Sequence, residues 1–355
     1  MATMIRSEEA AAGEPASRGR RPSRRELLAG TAAAFASIAF VRAPARAAEF
    51  TFKWGHATQL NHPLHVNIVR VKNEVLARSK GRLQIDIFPN NQLGGDPAML
   101  SQARSGAMQL YAGYGGIFAS VAPLAGIEGI GFAFKNQTQA LAAFDGPLGA
   151  LVRKQMDEKG PFVTFARPYV NGFREITTST KPIRTIADLE GLKIRTPPTK
   201  IWVDMFRTLG AAPTPIAASE MYTAMQTHVV DGQENPFTII ETYRLFEVQK
   251  YISITNHMWS NFWLVANADA FKSLPPDLQT ILRDAIDKYA TSNRREMELS
   301  NASLAEKMSR VYRMQINTVD TAPFRAKLKP FYASERGEFG ETAWGLLEKS
   351  VGSLA

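Results

Sequence analysis

Cysteine is absent from the 355 residues, which excludes disulfides, thiol catalysis and Cys-based metal sites. Stability must then come from packing alone, even in an oxidising compartment. Histidine is scarce, at five residues. After residue 48 there is no block of Lys and Arg and no interleaving of basic with aromatic residues, so no nucleic-acid surface is expected. No apolar run there reaches membrane-spanning length. A Gly-x-Ser-x-Gly elbow is missing too. Tyr114-Gly115-Gly116 and Gly94-Gly95 lack both the Walker Lys-Ser/Thr and the dinucleotide spacing, and read as turns rather than phosphate loops.

What is present begins with an address. Ser23-Arg24-Arg25-Glu26-Leu27-Leu28 leads into a small and apolar run over 27–41, followed by Ala45-Arg46-Ala47. Charged, apolar, then small-x-small is the order of a secretory signal, and the paired arginines point to the twin-Arg route. The apolar run, about 15 residues, falls short of the roughly 20 that span a bilayer. Residues 1–47 therefore read as a signal peptide cleaved near Ala47 or Ala48, which places the mature protein in the periplasm. About 308 residues remain, enough for two domains. Of the formal charge of +9, eight Arg against four acidic residues in 1–47 supply +4, leaving +5. That excess is too mild to argue for nucleic acid but suits attraction of small anions.

Strand-like and helix-like patterns then alternate, which predicts an α/β fold. Residues 50–54 and 83–88 alternate as strands around an amphipathic helix at 64–79. Asp96-Pro97 reads as an N-cap and first-turn proline, and 108–111 as the next strand. This is a doubly wound opening, whose ligands lie beyond the carboxyl ends of the strands. A second unit begins near Gly172, with strands at 174–178, 192–195 and 213–216 and helices at 199–209 and 219–228. A tight polar turn is expected at 231–236, then strands at 251–255 and 259–266. From Pro276 to about Met314 the helix pattern has almost no breakers and would span close to 60 Å. It lacks sustained heptads, so it reads as a brace across two lobes rather than a coiled coil. A last helical region covers 324–350. The expected architecture is two-lobed with a central cleft. Lobe I takes 48–171 plus about 260–300, and lobe II takes 172–259 plus about 301–355.

His56, His62 and His65 cluster at metal-ligand spacing, but Pro63 breaks the helix that would align them and no carboxylate lies close by. No metal is expected. Arg174 falls on one strand, and Arg195 at the carboxyl end of another. Such an Arg serves either as a salt-bridged structural residue or, aimed into a cleft, as a fork that donates two parallel hydrogen bonds to a carboxylate.

Several segments together resemble the substrate-binding proteins of TRAP transporters, the tripartite ATP-independent periplasmic carriers. They are Asn91-Gln92-Leu93-Gly94-Gly95-Asp96, Gly172-Phe173-Arg174, the stretch from Ile183 to Arg195, and Glu220-Met221-Tyr222-Thr223-Ala224-Met225-Gln226 running into Asp231-Gly232-Gln233-Glu234-Asn235-Pro236. The resemblance covers nearly all of the chain after the leader, and the long brace helix fits it. It implies a periplasmic receptor that closes two lobes over an organic acid and delivers it to TRAP membrane permease subunits. Arg195 matches the family's main carboxylate-clamping Arg, Arg174 a second Arg that often assists, and Asn235 an Asn that bonds the acid. Glu234, a carboxylate that would repel an anionic ligand, reads instead as a hinge or capping residue. Ala217-Ala218 stands where some sialic-acid members carry a Phe, and Glu234-Asn235 where a keto-acid branch has Glu-Trp and a bound cation. No cation and no cofactor are thus implied, and the family's usual form is a monomer. On the first-lobe side of the cleft the candidates are His56, Tyr114 and Trp259, the last two serving equally well as packing residues.

Two other readings share this scaffold. An exported enzyme would need a nucleophile–base pair or a cofactor site, and the sequence offers neither, so no enzyme is expected. A sensor subunit would carry the same ligand site and differ only in its partner.

Overall fold

In β1 (Phe50–His56) and β2 (Leu83–Phe88), large apolar residues alternate with polar ones, and Phe52, Trp54, Leu83 and Ile85 are buried. This computed structural model describes residues 48–354. The leader and cleavage site expected at 1–47 lie outside the described residues. Helix Pro63–Arg78 joins β1 to β2. His62 caps it, its ring Nδ1 accepting from the Leu64 N–H at 3.1 Å, and Pro63 begins the first turn. Leu64, Ile68, Val71 and Val75 form its buried stripe. Helix Asp96–Ser105 starts one residue earlier than the sequence pattern implied, with Gly95 as N-cap and Asp96 inside the first turn. β3 (Leu110–Gly113) follows, and β1 pairs in parallel with both β2 and β3, the doubly wound opening expected.

The remaining strands are β4 (Phe162–Thr164), β5 (Tyr169–Thr178), β6 (Lys193–Thr196), β7 (Ala212–Pro215), β8 (Gly232–Asn235), β9 (Tyr251–Asn267) and β10 (Gln315–Thr318). All ten form one mixed sheet in the order β2-β1-β3-β9-β5-β8-β6-β7, with β4 and β10 also pairing with β9. Near Asn267, β9 pairs with β3 and β4; near Tyr251 it pairs with β10. One strand thus belongs to both halves of the sheet.

Two expectations need correction. The polar stretch 231–236 is not a turn: its centre is β8, lying between β5 and β6 with all four residues buried. Its polar side chains resemble a turn in sequence because their partners are far away along the chain. The strands expected at 251–255 and 259–266 are a single 17-residue strand. Asn256, at φ 42°, lies between them, and the pairing with β5 shifts register between Arg174 and Ile176. The Glu175 carboxylate accepts from the Thr255 N–H at 2.7 Å and the Asn256 N–H at 2.9 Å, serving donors that this irregularity takes off the ladder.

The long helix runs Pro276–Arg310, 35 residues and about 52 Å. It packs against helix Pro63–Arg78, β5 and helix Phe237–Thr242, and so runs along both halves of the sheet. The region expected at 324–350 is two helices, Ala322–Lys327 and Lys329–Val351, the second kinked at Gly340 where φ is 77°. Helices Gln137–Asp145 and Pro147–Lys159 fill a stretch that hydrophobic patterning left unassigned. Among the described residues no helix is long and apolar enough to cross a membrane.

Candidate functional site

Charged side chains are rarely buried unless paired, and here several converge where β6 and β8 end, beside the middle of β5. Arg195, near the end of β6, is 3% exposed. Its Nε donates to the Ile216 carbonyl at 2.9 Å, which fixes the plane of the guanidinium. Neither terminal nitrogen has a hydrogen-bond partner among the described residues. Burial pulls its pKa down, while the charges of Glu234 and the nearby phenols support the cation. Such a group is a ready two-pronged donor for a planar anion.

Arg174 is built differently. It lies on β5, diagonal to Glu234 on β8, where neighbouring side chains share one face. Its Nε and Nη2 meet the Glu234 carboxylate at 2.5 and 2.8 Å, and Nη2 also donates to the Asn235 side chain at 2.9 Å. Both Arg174 and Glu234 are fully buried. The His257 ring approaches Glu234 at 3.1 Å and Thr255 at 2.8 Å. Burial alone would raise the Glu234 pKa, but Arg174 and His257 outweigh it and hold the carboxyl below its usual range. Burial drives His257 the opposite way, toward the neutral ring. The Asn235 amide nitrogen donates to Gln233 at 2.5 Å, and Gln233 in turn donates to Thr177 at 2.9 Å. A continuous polar chain therefore crosses the centre of the sheet.

Tyr114 caps the short helix Gly115–Phe118 and its ring lies 4.9 Å from that of Phe262. The guanidinium carbon of Arg174 stands 6.0 Å from the Tyr114 ring centre and 5.6 Å from that of Trp202. Burial, then the charge of Asp96, pushes the Tyr114 phenol up and keeps it neutral. Asp96 is itself buried and accepts from the Tyr111 hydroxyl at 2.8 Å. The Tyr243 hydroxyl donates to the Ala57 carbonyl.

Of the residues singled out in the sequence, Arg195, Arg174, Asn235 and Tyr114 come together here. His56 and Trp259 have other surroundings. The His56 ring contacts His65 and Thr58, each at 3.0 Å, and burial holds its pKa well below the ordinary value. Its chain neighbour Ala57 is the residue that reaches Tyr243. Trp259 stacks on Phe144 at 5.6 Å, with Phe134 at 6.1 Å, inside the apolar core. Asp96, Trp202, Tyr243 and the Glu234–His257 contact escaped sequence reasoning. Only Asp96 carried a signal, as the last residue of Asn91-Gln92-Leu93-Gly94-Gly95-Asp96. Among the described residues no group of three or more His, Cys, Asp or Glu is placed to hold a metal ion.

Comparison with known proteins agrees on one family. The model of "Bacterial extracellular solute-binding protein, family 7" matches residues 54–337. An uncharacterised protein of Sinorhizobium fredii is 32% identical over 321 residues; the match takes in 90% of this chain but 58% of that relative's length. A TRAP periplasmic solute-binding protein of Polaromonas, solved bound to D-erythronate, is 29% identical with a TM-score of 0.80, over 84% of this chain and 98% of its own. Another, from Roseobacter denitrificans with bound L-galactonate, is 28% identical with a TM-score of 0.78, over 86% of this chain and 99% of its own.

Proposed function

The chain belongs to the bacterial extracellular solute-binding proteins of family 7, and from that premise we propose that it is a periplasmic receptor which binds a small organic acid through Arg195 and hands it to a TRAP-type membrane permease. The observation that carries this reading is the contrast between two buried arginines. Arg174 spends its charge on Glu234, whereas both terminal nitrogens of Arg195 have no protein partner among the described residues. A carboxylate on those nitrogens makes charge-assisted bonds worth about 1.5–3 kcal/mol each. Arg174 then acts as the strut that holds Asn235 and the Tyr114 wall in position. The acids in the Polaromonas and Roseobacter proteins, D-erythronate and L-galactonate, fit a site of this chemistry.

The lobes follow the division of β9: 48–171 plus about 260–300, and 172–259 plus about 301–355. In support, Gly172 of β5 faces Ser260 of β9 at this boundary. The 1–47 leader directs the chain to the periplasm, where it works as a monomer and turns over no substrate.

Isothermal titration and thermal melting of residues 48–355 against mono-, di-, keto- and sugar carboxylates test the reading. Arg195→Ala is expected to weaken the responding acid by roughly 3–5 kcal/mol, or two to four decades. A wild type indifferent to every carboxylate, or a variant that still binds fully, overturns it.

A further inference from the structure

A cavity of about 530 Å³ opens at the other end of the strands from the arginine site. Ser179, which follows β5, and Lys250, which precedes β9, both line it. Because β8 runs antiparallel to β5 and parallel to β6, this is the end where β8 starts, whereas the arginine site lies where β6 and β8 finish. The cavity is apolar inside, where Met225 and Met314 are buried, and the Phe246 and Tyr312 rings in its wall stack at 3.8 Å with an angle of 4°. Three exposed basic side chains, His228, Lys250 and Arg313, complete the lining, and none has a carboxylate oxygen within 4.0 Å among the described residues. The acid beside them, Glu247, is already matched: the Arg244 Nε donates to one oxygen at 3.0 Å and the Tyr222 hydroxyl to the other at 2.9 Å.

The backbone is held in an unfavourable form to keep two of those bases there. Helix Met221–Gln226 is followed by His228 at φ 55°, and helix Pro276–Arg310 by Arg313 at φ 60°. After helix Asp96–Ser105 the same left-handed position is filled by Gly106. A side chain at such a position costs stability that glycine would spare, and residues held this way concentrate at functional sites. The carbonyl end of a helix favours a cation, which lets basic groups gather without carboxylate partners.

We propose that this cavity is a second binding site, for a carboxylate carried on an aromatic body. The proposal goes beyond the carboxylate-receptor reading and stands without it, since the cavity shares no residue with Arg195, Arg174, Asn235 or Tyr114. The volume is that of a small-molecule site. Methionine adapts its shape to a flat apolar guest and makes favourable contacts with aromatic rings. The basic groups supply donors for the carboxylate. A small inorganic anion would leave the methionines and rings uncovered, and a neutral arene would leave the bases unused.

Isothermal titration of residues 48–355 carrying Arg195→Ala separates the cavity from the cleft, with naphthalene-2-carboxylate as probe and naphthalene-2-carboxamide and acetate beside it. One carboxylate should bind per chain, at least roughly 10-fold tighter than the amide or acetate. Lys250→Ala and Arg313→Gly, each added to Arg195→Ala, should weaken the carboxylate by roughly 3- to 10-fold and change the amide by less than about 2-fold. Both side chains are exposed, and glycine suits the Arg313 backbone, so Arg313→Gly should melt no lower than its parent without ligand. Absence of binding to Arg195→Ala, equal affinity for acid and amide, or full binding by the Lys250 and Arg313 variants overturns the proposal. A probe bound by the wild type and lost in Arg195→Ala belongs to the cleft; that result overturns the second site and leaves the receptor reading intact.

Discussion

The Tyr243 hydroxyl donates to the backbone carbonyl of Ala57, 186 residues away in sequence. Ala57 follows β1, while Tyr243 follows helix Phe237–Thr242, and both lie in one apolar cluster with Ala218, Met221 and Ile239. The bond therefore ties the two halves of the sheet together beside Arg195. Tyr243→Phe leaves the ring in place and removes only this tie, at about 1 kcal/mol. Stopped-flow measurement of ligand release should show dissociation about five-fold faster. An unchanged rate would mean that the bond has no part in holding the site shut.

The Arg174–Glu234 pair predicts strong non-additivity. Removing either partner leaves the other buried and unmatched, so Glu234→Gln and Arg174→Met should each destabilise by roughly 3–5 kcal/mol. The double variant should lose much less than the two together. Urea denaturation of the four proteins measures this, and simple additivity would refute the coupling.

Glu175 predicts an unusual pH slope. Its carboxyl is pushed up to about 7, burial outweighing the Asn256 and Thr255 donors that favour the ionised form. Between its unfolded value near 4.5 and 7, the folded chain binds more protons than the unfolded chain. Stability from this group is full below that window and falls as pH rises through it, by about 3 kcal/mol in all. Melting of Glu175→Gln should lack this decline. A wild-type minus variant difference that is flat, or rises with pH, contradicts it.

Gly116 and Trp202 predict a steric rescue. A Cβ on Gly116 would stand 2.4 Å from the fully buried Trp202 ring. Gly116→Ala should therefore cost about 1–3 kcal/mol. Trp202→Leu, destabilising by itself, should cost less in the Gly116→Ala background, as read from denaturation midpoints. Equal costs in both backgrounds would place the strain elsewhere.

These cases also mark what the sequence made legible. β1, β2 and the helix between them were readable because one face is wet and the other dry, so periodicity records burial. β8 was not, because Gln233, Glu234 and Asn235 are buried polar residues whose partners Thr177 and Arg174 lie 56 to 61 positions away. Local patterns carry no trace of such pairings. Arg195 stood out through its segment's resemblance to a family, whereas its missing partners needed coordinates. Trp259, chosen as an aromatic beside a possible cleft, lies on a strand whose two faces are both covered, and a large apolar side chain there packs into the core. Tyr243 had no local mark at all, since its role depends on a carbonyl at the other end of the chain.

β9 carries a consequence for how the molecule can be taken apart. Because it is a rung of both halves, neither half owns a complete sheet. A gene trimmed to either half would encode a fragment with an open edge, prone to self-association. Melting of the intact chain should accordingly pass through a single calorimetric transition, and an indicator protein built from this receptor would have to accept its insert in a surface loop rather than be split into two complementing pieces.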